Sequence, residues 1–177
     1  MTLARAAALA GAIAILGGAA RAEVVDVADN GFVVRETATV SGDARQAWNA
    51  LIAVGKWWDP AHTYSHDGAN LVLDARAGGC WCETLPNRGS VEHMRVVFVD
   101  AGKILRLEGG LGPLQAMAVK GTMTWTLAPA EKGTTIEMTY AVGGYNRGGF
   151  RDLAPVIDRV LSEQVARYRL YADTGKP

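Results

Sequence analysis

No catalytic signature is present in this sequence. It contains no G-x-S-x-G nucleophile elbow and no H-E-x-x-H zinc motif. Gly109-Gly110-Leu111-Gly112 precedes no predicted helix, so it does not read as a phosphate cradle. No carboxylate pair stands out as acid and base, and no cofactor is expected. A basic stripe is also lacking. Lys and Arg number 18 and Asp and Glu number 18, which argues against a nucleic-acid partner. There is no internal repeat and no linker, so the 177 residues read as one domain. With 20% charged and 49% hydrophobic residues, the chain is globular and not disordered.

Long apolar runs are scarce, and the one that exists lies at the start. Arg5 supplies a positive n-region, 6–16 is an apolar core, and Ala20-Arg21-Ala22 is an A-x-A cleavage site. The run is mostly Ala and Gly and is shorter than the roughly 20 residues a membrane span needs. We therefore expect residues 1–22 to be a cleaved secretory signal, with Glu23 opening a single domain over 23–177. No Cys follows the cleavage site to accept a lipid. Cleavage would leave no stable membrane anchor, and the product would be secreted across the inner membrane into a periplasm, an oxidising compartment. A monomer is the default. Without the leader, 16 basic residues face 18 acidic ones.

What the chain has in quantity is period-two alternation. Residues 23–30 read as a lead-in, and 32–40 as a strand. Asp43 can cap a short helix, with Gln46 as its capping-box partner. Ala44, Ala47, Trp48, Leu51 and Ile52 form its stripe, and Gly55 ends it. Further strands are expected at 71–75, 79–85, 91–100, 104–108, 118–127 and 134–142, joined by short connectors as antiparallel hairpins. Met123, Trp125 and Leu127 alternate with threonines, as do Ile136, Met138, Tyr140 and Val142 with polar residues, so each strand has one buried face. Residues 109–119 interrupt the pattern as a bulge or bend.

The chain closes with a helix over 152–173. Leu153, Ile157, Val160, Leu161, Gln164, Val165, Tyr168 and Tyr171 form its apolar stripe, with Asp158 on the other side. Pro155 must lie in the first turn, and Gly175 suits the terminator. Strands in a run with helices on one side indicate an α+β fold. A curved antiparallel sheet of about six to seven strands would wrap this helix, after one or two short helices that follow the first strand. Such a sheet leaves a concave space beneath the helix, where ligands sit.

Several motifs in this order resemble the SRPBCC or START-like superfamily, the helix-grip fold. They are Asp43-Ala44-Arg45-Gln46-Ala47-Trp48 after the opening strand, Lys56-Trp57-Trp58, Ala77-Gly78-Gly79, Gly121-Thr122-Met123-Thr124-Trp125 and the closing helix. The likeness covers residues 32–172 and is greatest to the Hsp90-ATPase-activator-like and polyketide-cyclase-like bacterial proteins. It implies binding of lipids, polyketides, hormones or partner proteins, and in some members enzymatic turnover. Cys80-Trp81-Cys82 and the export signal depart from a cytosolic chaperone cofactor.

The expected ligand is a hydrophobic small molecule, a lipid, polyketide or aromatic compound, held between sheet and long helix. Its contacts are expected from Trp57, Trp58, His62, Tyr64, Met94, Met117, Met123, Trp125, Met138, Tyr140, Val160, Gln164 and Tyr168. The adjacent Trp57 and Trp58 diverge, one into the core and one toward the cavity mouth. The methionines suit an adaptable pocket. Gln164 lies in an apolar stripe and needs a partner: a water, Tyr140 or a ligand. The alternative is a cyclase- or hydrolase-like enzyme with His62, Tyr64 or Tyr140 as proton carriers.

Cys80 and Cys82 share one face of a strand, and a bond between them requires a distorted backbone. Pairing Leu85 with Ser90 across the turn sets Cys82 opposite His93 and Cys80 opposite Arg95. The readings are two small structural residues or a strained disulfide, a redox pair with Arg95 lowering a thiol pKa, or a metal site with His93. The structural reading is preferred and no metal is expected. His62 and His66 have ligand spacing only if helical, and Pro60 and Asp67-Gly68 place them in a loop.

Overall fold

A computed structural model describes residues 21–177. The expected leader lies outside the described residues except for Arg21 and Ala22, which open the first strand. The strands are β1 (Arg21–Ala28), β2 (Gly31–Val40), β3 (Leu71–Leu73), β4 (Cys80–Leu85), β5 (Gly89–Asp100), β6 (Ile104–Gly109), β7 (Ala118–Ala130) and β8 (Gly133–Tyr145). Helix α1 (Ala44–Ile52) follows β2, and α2 (Ala154–Thr174) follows β8. The architecture is α+β, with a single antiparallel sheet of order β1-β2-β8-β7-β6-β5-β4-β3.

The sheet has eight strands, not six or seven. The added strand is β1, which the sequence suggests only as a lead-in. Its register slips between Val24 and Asp26, so its apolar residues do not alternate cleanly. Residues 110–117 do not continue a bent strand either. They form a loop with a short 3-10 turn, Gly112–Ala116, between β6 and β7.

Alternation builds the core. Met123, Trp125 and Leu127 of β7 face Tyr140, Met138 and Ile136 of β8 in direct register, and all six are at most 5% exposed. Such cross-strand pairs are the unit of sheet stabilisation. Gly121 allows one of them to form. A Cβ there would meet the Tyr140 ring at 2.3 Å, so only glycine lets the ring lie across β7.

Local signals set both helices. The Asp43 carboxylate accepts the Gln46 N–H at 2.8 Å, and the Gln46 side chain accepts the Asp43 N–H at 2.9 Å. Pro155 sits in the first turn of α2, where no N–H is missed. Gly175 adopts φ 75° and its N–H donates to the Tyr171 carbonyl at 2.7 Å. Helix α2 packs against β1, β2 and α1. Leu161 and Val165 are at most 2% exposed, and full burial of each contributes about 2 kcal/mol. Tyr168 donates its hydroxyl to the Ala47 carbonyl of α1 at 3.0 Å.

Candidate functional site

The space directly under α2 is filled. Met123, Met138, Tyr140 and Tyr168 have no measurable exposure, and Trp57, Met94, Trp125 and Gln164 are at most 3% exposed. These expected ligand contacts form a continuous core. Trp57 lies edge-on to Trp125 and Tyr168, with centroids 6.2 and 5.4 Å away. Its indole N–H donates to the Ala50 carbonyl at 3.0 Å. Met117 is half-buried in the loop before β7.

One open volume lies to the side of α2. A cleft of about 420 Å³ is bounded by Trp58, His62, Thr63 and Tyr64, by the turn Leu111, Gly112 and Pro113, and by Val156, Ile157, Val160 and Leu161 of α2. Of the thirteen expected contacts, Trp58, His62, Tyr64 and Val160 meet there. The walls are predominantly apolar, with three aromatic rings. Trp58 is the member of the tryptophan pair that reaches the opening, and its N–H donates to the His62 carbonyl at 3.2 Å.

Three tethers hold the cleft's edges. The Asp59 N–H donates to Gln164 Oε1 at 2.8 Å, which gives the helix glutamine a backbone partner, while its Nε2 has none among the described residues. Arg167 donates from Nε to the Trp57 carbonyl at 2.9 Å. The Tyr140 hydroxyl donates to the Gly109 carbonyl at 3.0 Å and accepts the Leu111 N–H at 3.3 Å, fixing the turn on the far side. Burial pushes the Tyr140 pKa up to about 12, against the opposing bond from Leu111. A hydroxyl so engaged is a poor proton carrier. His62 is exposed, 3.9 Å from the Glu163 carboxylate.

A buried pair of polar groups lies beside the cleft. Glu83 of β4 is 1% exposed and His93 of β5 is 5% exposed. His93 Nε2 lies 2.9 Å from Glu83 Oε2, and the carboxylate also accepts the N–H groups of Tyr64 and Ser65. Burial alone would raise the Glu83 pKa. The bonds from Ser65, Tyr64 and His93 outweigh it and hold the value below the usual 4.5. Burial also lowers the His93 pKa below 6.5, against the pull of Glu83, so the imidazole is neutral at neutral pH. An ionised carboxylate can only accept, so Nε2 carries the imidazole proton and Nδ1 keeps its lone pair. The Tyr64 ring covers His93 with centroids 5.9 Å apart.

Sequence reasoning did not single out this pair, because the register around it slips. Leu85 pairs with Gly89, not Ser90, and a bulge between Trp81 and Cys82 restores Cys80 opposite Arg95. Cys82 consequently faces Glu92, and His93 and Met94 both turn inward. No cysteine lies opposite His93. The same bulge settles the cysteines, because their Cα atoms stand 5.4 Å apart and the sulfurs are bonded. Neither is free as a thiolate nucleophile or metal ligand. His62 ends a three-residue 3-10 turn and His66 sits at φ 57°, so no helix aligns them.

A second unusual group faces α2. Glu36 is one of the inward residues of β2 and has no exposure, and neither carboxyl oxygen has a partner among the described residues. Burial first, and the charge of Asp158 second, push its pKa up to about 8. Asp158 is therefore not on the solvent side, the side that its position opposite the apolar stripe suggests. It is half-buried with one oxygen unpartnered, and burial raises its pKa too.

No protein-family model matches this chain, and no curated protein matches it by sequence. Solved structures do match. CalU16 from Micromonospora echinospora superposes with a TM-score of 0.60 at 11% identity, over 90% of this chain and 86% of its own. DynU16, a protein of the dynemicin biosynthetic locus, superposes at 0.56 with 20% identity, over 82% of this chain and 48% of its own. The di-domain ARO/CYC protein StfQ of the steffimycin pathway superposes at 0.54 with 17% identity, over 81% of this chain and 51% of its own. At such identities the likeness establishes a shared α+β fold with these proteins, and it does not carry an activity.

Proposed function

We propose that this chain is an exported helix-grip protein of the SRPBCC or START-like kind that binds a hydrophobic small molecule in the cleft beside α2. The observation that carries the reading is the cleft itself: about 420 Å³, open, lined by Trp58, Tyr64, Leu111, Ile157 and Val160. That volume falls within the usual range for small-molecule sites, where apolar walls with few polar groups are the rule. Burial of apolar ligand surface supplies the affinity, at about 25 cal/mol per Å² before ordering costs. The Cys80–Cys82 disulfide fits export, because an oxidising compartment preserves it. The ligand is a lipid, polyketide or aromatic compound.

Native mass spectrometry of protein purified from its own host tests binding, alongside thermal shifts with fatty acid, sterol and polyketide probes. A co-purifying apolar ligand, or a probe that raises Tm, is the expected outcome. A consistently empty protein that no probe stabilises refutes the reading. Export is tested separately by N-terminal sequencing of the periplasmic fraction, which should begin at Glu23.

A further inference from the structure

Two polar groups beside the cleft lack partners, and they are complementary. His93 uses Nε2 on Glu83, which leaves Nδ1 as a basic acceptor with no hydrogen bond among the described residues. The Trp81 indole is 3% exposed, and its N–H is buried without a partner among the described residues. The Trp81 and His93 rings adjoin, with centroids 5.9 Å apart. On its other side, Trp81 meets the cleft residue Trp58 edge-on at 4.7 Å. The Trp81 N–H is the buried unsatisfied group of the two, which is costly, and with the acceptor Nδ1 on the adjoining ring it calls for a group that both gives and takes one hydrogen bond. A hydroxyl does so.

Tyr64 is the residue that separates this pair from the cleft. It lines the cleft and covers His93. Its backbone is pinned, because Glu83 accepts the N–H groups of Tyr64 and Ser65. Its side chain is held less firmly. The residue is 48% exposed, and among the described residues its hydroxyl contacts only the Gly112 carbonyl and Gln115 Oε1, each at 3.2 Å. Exposed bonds of this kind exchange with water at little net cost. The ring can therefore rotate while the chain beneath it stays in place.

We infer that Trp81 and His93 form a hydroxyl-recognition subsite of the cleft, opened by rotation of the Tyr64 side chain. A ligand hydroxyl donates to His93 Nδ1 and accepts from the Trp81 N–H, while its apolar body occupies the space between Trp58 and α2. Glu83 acts as a positioning residue that fixes the imidazole tautomer. The inference rests on the binding reading above and adds the chemical class to it: an apolar body that carries a hydroxyl.

The test compares 2-naphthol with naphthalene by titration calorimetry on the full chain, with ¹⁵N NMR of the histidine rings. One good hydrogen bond predicts that naphthol binds about tenfold tighter, and that it shifts Nδ1 of His93 while naphthalene does not. Trp81→Phe, which keeps an aromatic ring and deletes the N–H, should reduce the preference. His93→Met should abolish it, and the wild-type NMR readout decides the matter if that variant folds poorly. Tyr64→Phe should speed association of naphthol. Equal affinities with an unmoved His93 Nδ1 overturn this inference and leave the apolar cleft standing. If neither probe binds, this inference falls, and the binding reading is decided by its own test with fatty acid, sterol and polyketide probes.

Discussion

Replacing Glu36 with glutamine should stabilise the protein at neutral pH, even though the carboxyl group is fully buried. The Glu36 pKa is pushed from 4.5 to about 8 by burial and by Asp158. Between those values the folded chain holds a proton that the unfolded chain releases. Stability therefore falls as pH rises through this window, and the loss is complete above about 8. Each pH unit inside the window is worth about 1.4 kcal/mol, so at pH 7 the retained proton costs the fold about 3 kcal/mol. Glutamine is isosteric and does not titrate. The proton-linked cost therefore disappears, and about 1 kcal/mol for burying the amide in place of a neutral carboxyl leaves a gain of about 2 kcal/mol. Urea unfolding from pH 4.5 to 8.5 reads this as a midpoint shift of about 1 M at pH 7, with an unchanged m-value. Near pH 4.5 the order should reverse, with the variant about 1 kcal/mol the less stable. Other titrating groups affect both proteins equally, so the difference isolates Glu36 and its partner. A difference that stays constant across the range, or a wild type that gains on the variant with rising pH, would show Glu36 to be ionised in the fold and refute the reasoning.

Three further outcomes are expected. Acid should destabilise through the Glu83–His93 pair: the His93 pKa lies below 6.5, so the unfolded state takes the proton first and stability falls as pH drops below that value. Glu83 adds a second loss as pH falls from 4.5 through its lower folded value, and Glu83→Gln should cost about 2–4 kcal/mol at pH 7 in chemical denaturation, because a charged acceptor of three bonds is lost. Gly121→Ala forces a Cβ to within 2.3 Å of the Tyr140 ring, and should cost about 2–3 kcal/mol and loosen the Gly109–Leu111 turn, visible as faster amide exchange at Leu111. Val160→Trp, at a half-buried cleft position, should abolish probe binding while Tm changes by only a few degrees; global unfolding at room temperature would mean the position is solid core.

Local chemistry wrote much of the fold into the sequence. The stripe of α2, Pro155 in its first turn, Gly175 at its end, the Asp43–Gln46 box and the alternation of β7 and β8 all depend on residues a few positions apart. Such signals survive without tertiary context. Of the residues expected to contact a ligand, Trp58, His62, Tyr64 and Val160 lie on a loop and a helix face that the structure brings around one cleft. The tertiary structure decided what depended on register and on closeness in space. A bulge in β1 concealed a strand, and a bulge at Trp81 turned His93 inward onto Glu83 and brought Cys80 to Cys82. A one-residue slip exchanges the faces of a strand, and nothing in a short alternating run announces it. Packing likewise filled the space under α2 with Met123, Met138 and Tyr140 and left the opening at its side. Periodicity marks which face of an element is buried; only the meeting of several faces determines whether what lies between them is core or cavity.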